Sequence, residues 1–164
     1  MKKSFMLLAS IILIFLFSYG FTNEEIGNQV GDYAPNITFT SNGKTLDIEK
    51  YRGEYVLLNF WSSYDSGSRM NCNLYDSYFR SSNKENGEKS INYLSINLDE
   101  NEILFNEILR RDNLDNDSQF FAGNRNFSQI DKFYDIKAGF NSYLISKSGK
   151  IIAINPSVSE LKNL

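Results

Sequence analysis

Few residues in this chain are arranged for chemistry, and those few stand close together. Cys72 is the single thiol, and histidine is absent. A lone cysteine rules out an intramolecular disulfide and any cysteine-rich zinc or iron–sulfur site. Without histidine there is no Ser-His-Asp or Cys-His nucleophile system and no imidazole ligand for a metal. What remains is Asp65-Ser66-Gly67-Ser68-Arg69, just upstream of Cys72. Asp65 as a general base needs a nucleophile, a metal or a second carboxylate beside it, and the sequence pairs it with none. Ser66 to Arg69 at the start of a helix could hold an anion on free N–H groups. Asp65 would repel that anion, so Asp65 or Ser66 reads instead as the helix N-cap.

The elements around this segment position it. Val56-Leu57-Leu58-Asn59-Phe60-Trp61 is an almost unbroken apolar run, as suits a strand buried on both faces of a parallel sheet. Ser62 to Ser68 then makes a turn into a helix over Ser66–Ser81. Met70, Leu74, Tyr78 and Phe79 supply its apolar stripe toward the sheet. Cys72 falls seven residues after Asp65, on the same side of that helix about 10 Å further along. It reads as a small, partly buried helix residue. The sharper alternative is an intermolecular or mixed disulfide in an oxidising compartment.

Upstream, residues 1–20 carry a secretory signal pattern. Lys2 and Lys3 precede an apolar core from Phe5 to Phe17, and Ser18 and Gly20 sit at −3 and −1 of a cut before Phe21. The alternative is an uncleaved anchor, for which the stretch is short, since spanning takes about 20 residues. No cysteine follows the core to carry a lipid. Residues 21–30 are a polar, flexible lead-in to one domain over 31–164. In that domain, strands at Ile37–Thr40 and Thr45–Ile48 flank an Asn42-Gly43 turn.

Downstream, Asn83–Lys89 reads as a polar loop and Ile91–Leu98 as a strand. A helix follows, with Ile103, Leu104, Ile108 and Leu109 at helical spacing and Arg110 and Arg111 near its end. Asp112–Asp117 is acidic but lacks the Asp-x-Asp-x-Asp-Gly spacing of a calcium loop, and reads as a solvated connection. Gln119-Phe120-Phe121 is a short strand. Phe127, Ile130, Phe133 and Tyr134 mark a further helix, Ser142–Ser146 and Ile151–Ile154 a hairpin, and Ser157–Leu164 a terminal helix. Apolar content of 41% is that of a globular domain. The net charge of −3, lower still once Lys2 and Lys3 are removed, argues against nucleic acid and anionic membrane surfaces as partners.

Two segments carry a family resemblance. Phe60-Trp61-Ser62-Ser63-Tyr64, a four-residue turn and Arg69 resemble the Phe-Trp-Ala-Ser-Trp-Cys-x-x-Cys-Arg segment of secreted or membrane-anchored thiol–disulfide oxidoreductases of the thioredoxin fold. Tyr134-Asp135-Ile136 through Tyr143-Leu144-Ile145, followed by Gly149-Lys150-Ile151, is similar to that family's Tyr-x-Val-x-x-x-Pro-Thr-Thr-Phe-Leu-Ile and Gly-Lys-Ile. Gly31-x-x-Ala34-Pro35 resembles the start of the same superfamily's domains. The resemblance implies an α/β thioredoxin-like fold, with a central mixed sheet flanked by helices and an N-terminal β-hairpin extension.

The same alignment sets Asp65 and Ser68 on the two motif cysteines and Phe140 on the cis-proline. Asp65 keeps a charge at the helix N-terminus but has no redox couple. A serine hydroxyl at position 68 is no leaving group in disulfide exchange. Phe140 does not favour a cis bond. Three parts of one apparatus are absent together, which implies a fold kept without its reaction and needing no cofactor or metal.

The expected role is a redox-inactive, exported binding module for a peptide or envelope protein. Trp61, Tyr64, Asp65, Ser66, Gly67, Ser68, Arg69 and Phe140 are the candidate groove. In the plainer reading of these residues, Trp61 and Phe140 pack locally and Tyr64 is merely exposed. The alternative function is a thiol–disulfide oxidoreductase or antioxidant protein working through Cys72 alone.

Overall fold

The computed structural model describes residues 25–41, 43–86 and 91–164. The leader expected over 1–20, the first part of the lead-in, Asn42 of the hairpin turn and residues 87–90 of the polar loop lie outside the described residues. The elements follow the expected order. They are β1 (Thr38–Ser41), β2 (Lys44–Asp47), a 3-10 turn (Ile48–Tyr51), β3 (Tyr55–Trp61), α1 (Ser66–Asn86), β4 (Ile91–Asn97) and α2 (Glu102–Arg111). After these come β5 (Gln119–Phe121), α3 (Gly123–Tyr134), a 3-10 turn (Ile136–Ala138), β6 (Ser142–Ile145), β7 (Ile151–Ile154) and α4 (Val158–Leu161).

The main sheet has strand order β5-β4-β3-β6-β7, and β1 and β2 form a separate pair. β3 is central. It runs parallel to β4 from Tyr55↔Ile91 to Trp61↔Asn97, and antiparallel to β6 with Asn59 opposite Ser142. β4 is parallel to β5, and β6 is antiparallel to β7. The sheet is therefore mixed, and its central strand is buried on both faces, which is why β3 reads as a continuous apolar run. This is the thioredoxin-like architecture with an N-terminal hairpin that the sequence led us to expect.

Both sheet edges are covered, which removes unpaired strand groups that would otherwise template aggregation. On the β5 side, the Phe121 N–H donates to Ser41 Oγ (3.0 Å), and Lys44 reaches the Asn116 carbonyl (2.6 Å) and Asp117 (3.1 Å). On the β7 side, the Gly31 N–H donates to the Ile151 carbonyl, and the Ile151 N–H to the Asp32 carbonyl, both at 2.9 Å. Residues 25–30 of the expected lead-in are hydrogen-bonded to this turn. They fold back through Tyr33 N–H to the Glu25 carbonyl (2.8 Å) and Gly27 N–H to the Tyr33 carbonyl (3.1 Å). Their backbone polar groups find partners in a turn that the edge strand anchors.

The larger core lies between the sheet and the α3 side, where Phe60, Tyr134 and Tyr143 pack ring to ring. On the opposite face, α1 covers Leu57, Tyr93 and Leu144 with Tyr75 and Phe79. Here the expected stripe on α1 is corrected. Ser68, Cys72, Tyr75, Asp76 and Phe79 face inward, while Met70 and Leu74 are 68% and 53% exposed. Phe79 alone of the expected stripe is fully buried, and Tyr78 is half-buried at its margin. The inward set is as regular at helical spacing as the outward one but contains polar residues, so hydrophobicity alone selected the wrong face. The helix also runs on to Asn86, into what reads as loop.

Candidate functional site

The segment from Trp61 to Arg69 sits at the C-terminal end of the central strand, where β3 turns into α1. Asp65 caps the helix. Its Oδ1 accepts the Ser68 N–H at 2.7 Å, and its carbonyl accepts the Arg69 N–H at 3.1 Å. The Ser68 N–H bond, then the further Ser68 contact, hold the Asp65 carboxyl below the usual carboxylate range. The side chain is exposed.

Ser68, at the second motif position, is buried. Its hydroxyl accepts the Ser62 N–H (3.2 Å) and donates to the Asp65 carbonyl (3.3 Å). These two residues close the turn with hydrogen bonds, and neither offers electrons to a disulfide.

Behind the turn lies a residue that the sequence reading missed. Asp99, 2% exposed, accepts the Ser62 hydroxyl (2.6 Å), the Ser63 N–H (2.9 Å) and the Asn97 side-chain amide (3.0 Å). It follows β4 in the parallel register that sets Asn97 beside Trp61. An aspartate directly after a strand looks like an ordinary helix start, so only the strand pairing reveals its role.

The remaining candidates divide. Tyr64 is 80% exposed, and Ser66 and Gly67 are exposed beside it. Phe140 is half-buried against the larger core. It is brought to the end of β3 by the β3–β6 register, which the Phe60 N–H to Asn141 carbonyl bond continues at 3.2 Å. Gly139 before it has φ +154°, a conformation that favours glycine. No cis peptide bond occurs among the described residues.

Trp61 leaves the groove. It is fully buried against Phe105, and its indole N–H donates to Gln119 Oε1 (3.2 Å). In the β3 alternation, Trp61 points into the sheet–helix layer, so it packs locally. Arg69 is also withdrawn. Its Nε and Nη2 clasp Asp112 at 2.7 and 2.6 Å, tying the first turn of α1 to the end of α2.

Cys72 is fully buried. Its Sγ lies 3.5 Å from Ser95 Oγ and donates toward Gln119 Oε1 at 3.7 Å. Burial pushes the thiol from 9.0 up to about 11. A neutral, enclosed thiol cannot form the intermolecular disulfide held open from sequence without opening the α1–sheet layer.

Beneath it runs a row of buried polar side chains in register across four strands: Gln119, Ser95, Asn59 and Ser142. Ser142 Oγ donates to Asn59 Oδ1 (2.8 Å), and Asn59 Nδ2 donates to Ser95 Oγ (3.1 Å). The acidic loop is likewise structural. Asp112 pairs with Arg69 and Asp117 with Lys44, while the Asp115 N–H donates to Asp76.

The Redoxin family model matches residues 29–160. A thioredoxin-like protein from Parabacteroides distasonis is 34% identical, with 84% of this chain and 94% of that one covered and a TM-score of 0.71. A thiol-disulfide oxidoreductase from Bacteroides fragilis is 26% identical, covering 80% of this chain and 98% of its own, at a TM-score of 0.64. A thiol:disulfide interchange protein from Bacteroides sp., 20% identical over 85% of this chain and 88% of its own, shares the fold at a TM-score of 0.65. No curated protein matches the chain. With its mixed five-stranded sheet, its strand–turn–helix site and a family match over most of its length, the chain belongs to the redoxin family of thioredoxin-like proteins.

Proposed function

We propose that this chain is an exported, redox-inactive redoxin that binds a peptide or protein of the cell envelope at the turn where its relatives carry their thiols. One observation carries the reading: the only thiol is enclosed beneath α1, while the two motif positions hold Asp65 and Ser68 in hydrogen bonds that close the turn. Disulfide exchange needs a thiolate within reach of an incoming sulfur, and a buried thiol raised to about 11 offers almost none at neutral pH. Tyr64, Asp65, Ser66 and Gly67 stay exposed at the turn, and Phe140 is half-buried against the larger core. An exposed aromatic beside free polar groups suits an extended chain. Export rests on the leader pattern of residues 1–20.

The test uses the protein purified after secretion from an export-competent bacterial host, beside Cys72→Ser and Tyr64→Ala. Insulin reduction with dithiothreitol stays at background for all three. Carboxymethylated, unfolded lactalbumin, an extended chain with no free thiol, binds saturably and more weakly to Tyr64→Ala. Insulin reduction abolished by Cys72→Ser would replace this reading with a one-cysteine oxidoreductase.

A further inference from the structure

A cavity of about 80 Å³ lies between the second half of α1, the first half of β4 and the loop that leads into β5. It is at the opposite end of β3 from the Tyr64 turn, and the function proposed above makes no use of it.

Asp76 lines this cavity, and its side chain is 1% exposed. Oδ1 accepts the Asp115 N–H at 2.8 Å, but Oδ2 accepts no hydrogen bond. Arg80 Nε stands 3.0 Å from Oδ2 and balances its charge, yet its N–H is not directed at that oxygen. A buried carboxylate oxygen without a donor is costly and uncommon, so it marks a place where a donor belongs.

The surroundings are negative. Asp115 and Asp117 line the same cavity, and Glu54 accepts from the side-chain amide of Asn92, which also lines it. Burial, with repulsion from Asp115, holds the Asp76 carboxyl above its usual range. Among the described residues, these four carboxylates face Arg80 and, bonded to Asp117, Lys44. No group of three or more metal-ligating side chains occurs among the described residues, so the set does not suit a divalent cation.

The remaining wall is apolar. Phe79 and Tyr93 stack at 5.0 Å, and Tyr51 and Leu94 extend the surface they form. Aromatic faces attract cations as well as methylene groups. The volume suits a group the size of a side chain, well below the roughly 300 Å³ at which drug-sized sites begin. Arg80 and Asp117, 37% and 89% exposed, stand at the rim.

We propose that this cavity takes a primary ammonium on a short aliphatic stem, its N–H groups at Asp76 Oδ2 and its stem against Tyr51 and Phe79. A free short amine and a lysine side chain of a partner both bring this chemistry. Arg80 is the built-in competitor, because its guanidinium already balances the same carboxylate.

Amide NMR of the secreted protein, titrated with n-butylamine at pH 7, tests this. The Asp115 and Ser118 amides shift saturably, with a Kd of about 1 mM, the scale for five heavy atoms. 1-Butanol and butyrate, which share the stem without the positive charge, bind about tenfold more weakly or not at all. Asp76→Asn, which keeps an oxygen for the Asp115 N–H, weakens butylamine about tenfold. Arg80→Gln removes the competitor and tightens it several-fold, a gain that loss of packing would not give. Tighter binding of butylamine than of Nα-acetyl-lysine methylamide assigns a free amine, and the reverse assigns a lysine side chain.

Equal binding of butanol or butyrate, an unchanged Kd in Asp76→Asn, or saturable shifts that leave Asp115 and Ser118 unmoved overturns the proposal. So does the absence of saturation with either amine. If Asp76→Asn does not fold, Arg80→Gln decides, and unchanged or weaker binding there overturns the proposal.

Discussion

The Ser62 hydroxyl donates to Asp99 Oδ1 at 2.6 Å, across the junction between the loops that follow β3 and β4. The same carboxylate takes the Ser63 N–H, so one buried anion holds both residues of the turn that leads to Asp65. Replacing it leaves a hydroxyl and a backbone N–H without an acceptor in a place water reaches poorly. Asp99→Ala is therefore expected to cost about 2 kcal/mol in urea unfolding. Hydrogen exchange of the Ser63 and Tyr64 amides should rise more than that of β3. Uniform exchange along both would mean that the carboxylate does not hold the turn.

The site retains the backbone of a thiol site without the thiols. Asp65 is exposed at the helix cap, and Ser68 is buried one turn on. Asp65→Cys with Ser68→Cys should therefore form a disulfide on oxidation and raise insulin reduction above that of the parent chain. The first cysteine, at a helix N-terminus, is expected to titrate below an ordinary thiol. A double variant that folds but keeps both thiols free under oxidant would show that the turn has lost the spacing.

Cys72 makes two related predictions. In the native protein at pH 8 it should resist a chromogenic disulfide reagent and react only as the chain unfolds, because the thiol is fully buried and neutral. Its folded value of about 11 lies above the ordinary 9.0, so the folded chain holds this proton more tightly than the unfolded one. Its contribution is complete below pH 9 and is lost as pH rises from about 9 through 11. Tyr134, raised by burial, acts in the same direction. Cys72→Ala should flatten part of that alkaline loss in thermal melts across this range.

On the acid side the signs are mixed. The Arg69 guanidinium holds the Asp112 carboxyl below its usual range, and the Ser68 N–H does the same for Asp65. Both contributions are present above the unfolded value of 3.8 and are lost as pH falls below it. Asp76, raised chiefly by burial, runs the other way and gains as it is protonated. Asp112→Ala should cost about 2 kcal/mol at pH 7 for a bidentate, partly buried pair, and much less at pH 2. Arg69→Lys keeps the charge but not the fork, and should recover only part of the difference. An equal loss at both pH values would assign the effect to packing.

For the leader, the prediction is a mass. The secreted protein should begin at Phe21, as intact-mass measurement will show. Retention of residues 1–20 with membrane-bound material would replace cleavage by anchoring.

Much of this protein is legible in its residues alone. The apolar run of β3, the order of strands and helices, and the two segments that align with the redoxin pattern determine the fold. Their information is local and periodic, and a strand buried on both faces has no competing reading. The same alignment shows that residues 65 and 68 are not thiols, with no structure needed.

Tertiary structure alone decided which way the side chains face. On α1, two stripes share one periodicity: Met70, Leu74 and Tyr78 look like the core, yet Cys72, Tyr75 and Phe79 form it. The difference lies in the polar row Gln119, Ser95, Asn59 and Ser142, which exists only once four strands stand in register and which accommodates a polar, cysteine-bearing helix face. Trp61, Arg69 and Asp99 follow the same rule. Each has a partner more than 30 residues away in sequence, at Gln119, Asp112 and Ser62, and no spacing rule within one element connects them. Hydrophobic periodicity specifies that a face is buried, whereas long-range pairing of polar groups selects the face, because an unpaired polar group costs more inside the protein than an apolar one exposed to water.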